Sequence, residues 1–299
     1  MAGAFTAVDL SQLAPPVLVE KIGFEATLIA MLADLQARSP TFTALVEADP
    51  AMKVLEVGAY FDTLQRQRIN EAITGSMLAY AAGADLDQIA ANFVVARLML
   101  DPGDPDAVPP IAPTYESDAD LRRRVQLSPE GYTTAGSQGA YVFHALGADP
   151  GVKDAQAVSP TPGVVTVYIL SRDGTGAASV DLTDAVGAVL SGDTIRPMTD
   201  SVGVQSVAVT QYTIEAALTV FPGPDAEVIR ASAEAAAIAY AEGQHRVGFD
   251  ITLSGIYRAL HQPGVQNVAL AAPVADIVIS TGEAAYCTAT TITIAGSDV

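Results

Sequence analysis

Paired acidic side chains are the pattern in this sequence that comes nearest to catalytic chemistry. Two carboxyl groups that share a cleft perform general acid–base chemistry in glycosidases. Each pair here begins a predicted helix, where acidic side chains cap free backbone N–H groups and complement the helix dipole. We therefore interpret them as helix-start residues and keep a hydrolase acting on envelope polysaccharide as the alternative function. The pairs are Asp85/Asp87, Asp118/Asp120 and Asp225/Glu227.

The other residue types that carry chemistry are few and scattered. No two of the three histidines are close enough in sequence to bind a metal locally, and His261 is expected at a helix C-terminus, where the dipole favours it. Ser137 lies in AGSQG, which lacks the first glycine of a nucleophile elbow, so we predict a helix cap. Asp101, Asp104 and Asp106 are followed by no glutamate that would close a calcium loop of the EF-hand type. We predict no catalytic residue, no cofactor and no metal ion.

The charge of the chain limits its partners. With 34 acids against 15 bases, the 299 residues carry a formal net charge of −19. Phosphate backbones and anionic lipid headgroups are bound mainly by Lys and Arg, so we expect neither a nucleic-acid nor a membrane partner. The N-terminus has no signal-peptide pattern, and no apolar run of about 18 residues occurs. We expect a protein made in a reducing cytoplasm.

Residues 1–100 predict a region of long helices. The first helix covers residues 17–38, and its apolar residues recur at heptad-like spacing. A second helix is predicted from Asp49-Pro50 towards Gly83, with a length of roughly 45–50 Å, and a third from Asp85, capped together with Gln88. The candidate interface residues on the first two helices are Phe24, Leu28, Met31, Leu35, Val57, Phe61 and Leu64.

The heptad-spaced apolar side chains of the first helix form a seam, and two interpretations of this seam remain open at this point. Its apolar side chains form either the core of the protein itself or part of a helical bundle with other chains. The second interpretation has similar support, because three helices at the end of a proline-rich connector have little else to pack on. The second helix also has a polar middle, QRQRINEA at 65–72, which is unusual inside a compact monomer.

A proline-rich acidic connector is predicted at 101–116. The stretch DPGDPDAVPPIAPTY, Asp101–Tyr115, contains five prolines, three acids and no base. Because proline fixes φ and like charges repel, we expect an extended, semi-rigid spacer that lets the flanking parts reorient. The candidate hinge residues are Pro105, Pro109, Pro110 and Pro113.

The remainder predicts two small modules of helices and strands, at 117–210 and 211–299. A short helix from Ser117 would pair Asp118 with Arg122 and Asp120 with Arg124 at i, i+4, which would explain its three consecutive arginines. A weak internal sequence repeat of Pro-Gly-Val turns suggests two related modules, each a helix followed by a β-hairpin. The predicted fold class is α+β and multidomain: an N-terminal long-helix region followed by two small helix-plus-sheet modules.

Five sequence runs, in this order, resemble the J-type baseplate wedge proteins of contractile phage tails and of R-type bacteriocin (tailocin) particles. The resemblance extends from about residue 20 to the end, but 101–113 matches no family motif. The runs are MLAYAAGADLDQIAANFVVARL (77–98), ESDADLRRRVQLSPEGYTTAGSQGAYVFHAL (116–146), KDAQAVSPTPGVVTVYILSRDGTG (153–176), DTIRPMTDSVGVQS (193–206) and LHQPGVQNVAL (260–270).

The resemblance implies a structural protein without catalysis. In that family, paired J-type copies join an I-type wedge protein through a bundle of helices, which residues 17–97 would supply here. The C-terminal modules, residues 117–299, would close a ring around the central hub and tube proteins, with a sheath-initiator subunit as a further neighbour. The resemblance also implies assembly in the bacterial host cytoplasm and a ring that widens when the sheath contracts. A receptor-binding tail module is less well supported, because the chain has no tryptophan and no fibrous repeat.

Overall fold

A computed structural model describes residues 8, 10, 13–42, 45–133, 136–223 and 225–299. They group into two compact units, each described separately below. The helical unit comprises 8–97 and 117–122, and the α+β unit comprises 98–116 and 123–299. Within the described residues the chain forms eight α-helices and eight strands in small sheets, which confirms the predicted α+β class.

The first helix of the helical unit, α1, spans Phe24–Arg38, so its predicted start at residue 17 is wrong. Gly23 is the N-cap, with an extended backbone at φ −146°, and its carbonyl accepts the first helical hydrogen bond from Thr27 N. Glycine loses more backbone entropy in a helix than other residues do, which favours a boundary at this point.

The second helix, α2, spans Pro50–Gly75 and ends before the predicted Gly83. Its 26 residues give a length of about 39 Å. The hydroxyl of Ser76 donates to the Ile73 carbonyl at 2.7 Å, in competition with the next helical turn. Residues 77–80 then form turns rather than helix.

The third helix, α3, spans Gly83–Asn92 and begins two residues before the predicted cap Asp85. Its own N-cap residue, Ala82, has no side chain that could cap it. Asp118 supplies the cap instead, since its Oδ2 accepts from Gly83 N at 3.1 Å. The predicted capping box of Asp85 and Gln88 is therefore wrong, because a residue distant in sequence fills the role.

Three arginines of the fourth helix, α4 (Asp118–Leu127), bind partners outside the helix. Arg122 donates to the carbonyls of Leu78 at 2.7 Å and Ala81 at 2.6 Å within the helical unit. In the α+β unit, Arg123 pairs with Asp154 and Arg124 with Glu116, each at 2.6 Å. These side chains thus fix other segments, a role that the predicted i, i+4 surface pairs did not include.

The proline-rich connector folds back on itself and is not extended. Strands β1 (Met99–Asp101) and β2 (Thr114–Tyr115) pair antiparallel, with Asp101 opposite Thr114. Gly103 has φ +68°, and a Cβ there would lie 2.3 Å from the Ile111 carbonyl oxygen, so only glycine fits. We call residues 99–115 the arm.

The first module of the α+β unit packs two helices on a three-stranded sheet. After a short 3₁₀ helix, Ser128–Tyr132, its sheet has the order β3-β4-β5, with β3–β4 antiparallel and β4–β5 parallel. The predicted cap is confirmed, since Ser137 Oγ accepts from Ala140 N at 3.2 Å. The elements are α5 (Gln138–Ala148), β3 (Val152–Thr161), β4 (Val164–Ser171), α6 (Val180–Leu190) and β5 (Ser201–Ser206).

The second module has the strand order β7-β6-β8, with β6–β8 parallel and β6–β7 antiparallel. The predicted second hairpin is wrong, because β6 lies between β7 and β8. Beside this sheet, an isolated antiparallel bridge joins Ile251 to Ile277. The elements are β6 (Ala208–Val220), α7 (Ala226–Gln244), α8 (Leu253–Leu260), β7 (Val265–Ala272) and β8 (Glu283–Ser297).

Buried polar side chains connect these two modules. Asp154 Oδ2 accepts from Val247 N at 3.0 Å, and Gln156 Oε1 accepts from Gly282 N at 2.9 Å. A small apolar cluster surrounds the contacts. Because both side chains are buried, removing either would leave donors of the second module unsatisfied. The cluster consists of Leu170, Val207, Val247 and Ala284.

Candidate interaction surfaces

Two of the four acidic residues predicted at helix starts in the helical unit, Asp87 and Asp118, bind one arginine. Arg97 Nε donates to Asp87 Oδ1 and Arg97 Nη2 to Asp118 Oδ1, both at 2.7 Å. The hydrogen bond from Arg97, supported by that from Gly83 N, lowers the pKa of Asp118 below its ordinary value. A general acid at neutral pH needs a raised pKa, so Asp118 does not suit the general-acid role in a glycosidase pair.

The pair at the start of α7 has a structural role as predicted. Asp225 is the N-cap residue, and its Oδ1 accepts from Glu227 N at 2.9 Å. Glu227 pairs with Arg230 at 2.6 Å on the helix surface. The hydrogen bond from Arg230 lowers the pKa of Glu227. Both carboxyl groups therefore stabilise the first turns of α7.

The histidines occupy separate structural positions. His261 is the C-cap residue of α8, as predicted, and its Nδ1 lies 3.0 Å from the Tyr257 carbonyl oxygen. His245 is buried and its Nδ1 donates to the Ala285 carbonyl at 2.7 Å. Burial lowers the pKa of His245 and also that of His144. In the part of the chain described here, no group of three or more His, Cys, Asp or Glu side chains could hold a metal ion.

The predicted seam on α1 lies at least partly inside the helical unit. Leu28 is buried at 8% exposure, while Phe24, Met31 and Leu35 are half-buried. The Met31 sulfur lies against Gly58 of α2, close enough that a Cβ at Gly58 would be 3.6 Å from it. For Leu28 and Met31 the structure thus favours the internal-core interpretation that the sequence left open.

The predicted residues on α2 lie on an exposed apolar face. Val57 and Phe61 are each 57% exposed and Leu64 is 41% exposed. Val54, at 71% exposure, extends the row towards the N-terminus with the heptad-like spacing of 3, 4 and 3. We call Val54, Val57, Phe61 and Leu64 the α2 stripe.

The α2 stripe faces away from the buried side of its helix. Ala59, which has no exposed surface, is five residues from both Val54 and Leu64, a rotation of about 140° around the helix. Every residue of α1 and α2 is described by the structure, and in these two helices only Leu28 and Ala59 are buried. These helices therefore bury little apolar surface on each other, and α2 presents a second apolar face.

The polar middle of α2 holds the segment before α1 in place. Arg66 pairs with Asp62 at 2.8 Å and with Glu20 at 2.9 Å. The Asn70 side chain bonds the backbone of Glu20 twice, accepting from its N–H at 3.0 Å and donating to its carbonyl at 2.8 Å. The polarity that is unusual for a monomer core is thus partly explained by contacts within the chain.

The four candidate hinge prolines all lie in the arm and are exposed. The divisions between the two units fall at 97/98, 116/117 and 122/123, and none of the four prolines is at a division. Their role as a hinge stays a prediction.

Sequence reasoning missed several interaction residues. Val54 could have been found by extending the heptad spacing of Val57 and Phe61 by one step. Asp154 and Gln156 gave no signal, because buried polar residues in a strand resemble alternating surface positions. In the described residues, no helix combines the length and apolarity that crossing a bilayer requires.

Comparison with known proteins identifies the family. Models of the baseplate J-like N-terminal, central and C-terminal domains match residues 47–104, 133–206 and 212–295. Baseplate protein J of Escherichia phage P2 is 45% identical over 298 residues, which cover 97% of this chain and 99% of that protein. A chain in the cryo-electron microscopy structure of the anti-feeding prophage baseplate is 15% identical, with a TM-score of 0.38, over 62% of this chain and 44% of its own length. The family matches and the near-full-length identity confirm the resemblance seen in the sequence: the chain belongs to the baseplate J-like protein family.

Proposed function

We propose that this structural baseplate component acts as a wedge subunit, in which two copies join one I-type partner through a bundle of helices. Membership of the baseplate J-like family supports the assembly role. The helical unit supplies the bundle, and the α+β unit closes a ring around the hub. The particle is a phage tail or a tailocin, assembled in the bacterial host cytoplasm.

The α2 stripe is the observation that carries this proposal. Four large apolar side chains at heptad spacing are 41–71% exposed on one helix face. Apolar side chains that stay in water contribute none of the burial free energy that normally stabilises a helix in a protein. Helices of partner chains that pack on the stripe would recover it. Since α1 and α2 bury only Leu28 and Ala59, the helical unit gains more from such packing than a self-contained domain would.

We assign the proposed ring and its rearrangement to the α+β unit. Asp154 and Gln156 bond the second module from within the first, so we infer that the two α+β modules move as one rigid body. A sheath-initiator subunit and the hub and tube proteins would contact the ring, which would widen on contraction. The hinge would lie at Pro105, Pro109, Pro110 and Pro113.

We infer that the subunit acts without catalysis. Asp118 and Glu227, which belong to the sequence's carboxylate pairs, are held by arginines that lower their pKa values. Asp225 caps α7. These contacts support structural roles for the residues that a polysaccharide hydrolase would have used.

Native mass spectrometry tests the proposal directly. The chain is expressed alone and together with the proteins encoded beside it, as wild type and as V57S/F61S. A matched control, V228S/I238S, changes two exposed apolar residues of α7 that are 67% and 42% exposed. We expect a complex of two copies and one partner for wild type and control, and its loss for V57S/F61S. A wild-type chain that stays monomeric with every neighbour contradicts the proposal.

A further inference from the structure

We propose that the arm, residues 99–115, is a separate docking element that binds a basic, partly apolar surface on a different protein of the particle. The proposal rests on the proposed function only in that the chain must be part of a baseplate. The arm is distinct from the α2 stripe, since it belongs to the α+β unit and has a different chemistry.

The arm has a defined backbone structure. Beyond the β1–β2 pair, Asp104 and Ile111 exchange two backbone hydrogen bonds of 3.0 and 2.8 Å. Asp101 Oδ1 accepts from Gly103 N at 2.8 Å, and Asp104 Oδ1 accepts from Asp106 N at 3.0 Å. These bonds hold the turns that reverse the chain.

A buried ion pair fixes the base of the arm. Glu116 N donates to Leu98 O at 2.9 Å, and Glu116 Oε1 accepts from Leu98 N at 3.0 Å. The same Oε1 accepts from Arg124 Nη1 at 2.6 Å, and the side chain of Glu116 has no exposed surface. The two ends of the arm are thereby held together and joined to α4.

The arm exposes an unusual amount of apolar surface for a solvated loop. Val108 is 98% exposed, and four further large apolar side chains are 37–57% exposed within the 17 residues. With five prolines in the segment, the arm has little backbone freedom to lose on binding, which favours affinity. The other four are Met99, Leu100, Ile111 and Tyr115.

The negative charge of the arm indicates the chemistry of the partner surface that it would bind. Between Arg97 and Arg122 the chain has six acids and no base, and three of the acids, Asp101, Asp104 and Asp106, lie exposed in the arm. A second copy of this chain, with 34 acids against 15 bases, offers the arm little basic surface. A partner with lysines or arginines around an apolar patch satisfies both features.

Photo-crosslinking in assembled particles tests the proposal. Val108 is replaced by p-benzoylphenylalanine, and Met198, also 98% exposed but in the first module, is replaced in a control chain. Purified particles are irradiated and the cross-linked peptides are identified by mass spectrometry. We expect Val108 to cross-link to one other protein at a peptide rich in Lys or Arg, with a different pattern from Met198.

The outcomes separate this proposal from the proposed function. A cross-link to a second copy, to an acidic peptide, or to nothing overturns the arm proposal while leaving the wedge function intact. If the chain is absent from purified particles, both proposals fail.

A charge variant adds a quantitative check. D101N/D104N/D106N retains amide oxygens that accept the same turn hydrogen bonds but removes three charges. At roughly 0.5 kcal/mol for each exposed ion pair, the Val108 cross-link yield should fall about tenfold. The control D181N/D184N/D193N removes three exposed charges elsewhere in the α+β unit and should leave the yield unchanged. Equal yields for both variants would overturn the electrostatic part of the argument.

Discussion

Replacing Phe61 with serine distinguishes an exposed interface residue from a core residue. Phe61 is 57% exposed in the isolated chain. An aromatic side chain buries about 200 Å² in full, so about 110 Å² remains for a partner to cover. At about 25 cal/mol per Å², covering this area contributes about 3 kcal/mol to association. F61S should therefore raise the Kd for the proposed I-type partner about a hundredfold.

Leu28 provides the opposite case in the adjacent helix. Because Leu28 is 8% exposed, L28A should lower the free energy of unfolding by about 2–5 kcal/mol. F61S should change it by less than about 1 kcal/mol. Urea denaturation followed by circular dichroism gives the stability of each isolated variant, and titration calorimetry gives the Kd for the partner. If F61S destabilises the chain as much as L28A and leaves the Kd within twofold, the α2 stripe belongs to the internal core and the reasoning is refuted.

Three further predictions concern the α+β unit and the arm. D154A should lower the free energy of unfolding by about 3–5 kcal/mol, since Arg123 and Val247 N lose a buried acceptor. In urea titrations the exposed control D184A should match wild type. An equal effect of both substitutions would contradict the stabilising role given to the buried Asp154 contacts. Burial lowers the pKa of His245 below 6.5, so its stabilising contribution is complete above about pH 6.5 and is lost as the pH falls through the lower folded-state pKa. H245N can still donate to Ala285 O, and it should flatten this part of the curve of Tm against pH. An unchanged slope would argue against a role of His245 in the pH dependence. P109G/P110G should impair assembly or contraction if the hinge proposal holds, and electron micrographs with normal numbers of extended and contracted particles would remove it.

The sequence predicted the elements whose signals are local. Ser137 and Asp225 cap helices where expected, because a cap is determined by residues within one turn. Two small modules and a helical N-terminal part, the α+β class, follow from these local patterns.

Features set by distant residues could not be read from local patterns. Arg122 to Arg124 looked like surface ion-pair residues at i, i+4, yet their partners lie up to 44 residues away. The start of α3 is capped by Asp118, which is 35 residues from Gly83. In the second module, β6 lies between β7 and β8, which the internal sequence repeat predicted to pair as a hairpin. Strand pairing depends on the whole sheet and not on the local sequence.

The arm was wrongly expected to be extended because proline content was given more weight than turn chemistry. The start of the segment, Asp-Pro-Gly-Asp at 101–104, has proline followed by glycine in the order that a tight turn prefers. Gly103 adopts the positive φ that this sequence permits. For the candidate interface, spacing identified the α2 stripe, but only burial distinguishes its residues from those of the α1 seam.

The most direct test of the account is the accessibility of the α2 stripe before and after assembly. V57C in a C287S background is reacted with a maleimide in the isolated chain and in purified particles, and V274C, at a valine that is 89% exposed, serves as a comparison. We expect rapid labelling of Cys at position 57 in the isolated chain and strong protection in particles. Equal labelling of this position in both states would contradict the claim that the stripe is covered by partner helices.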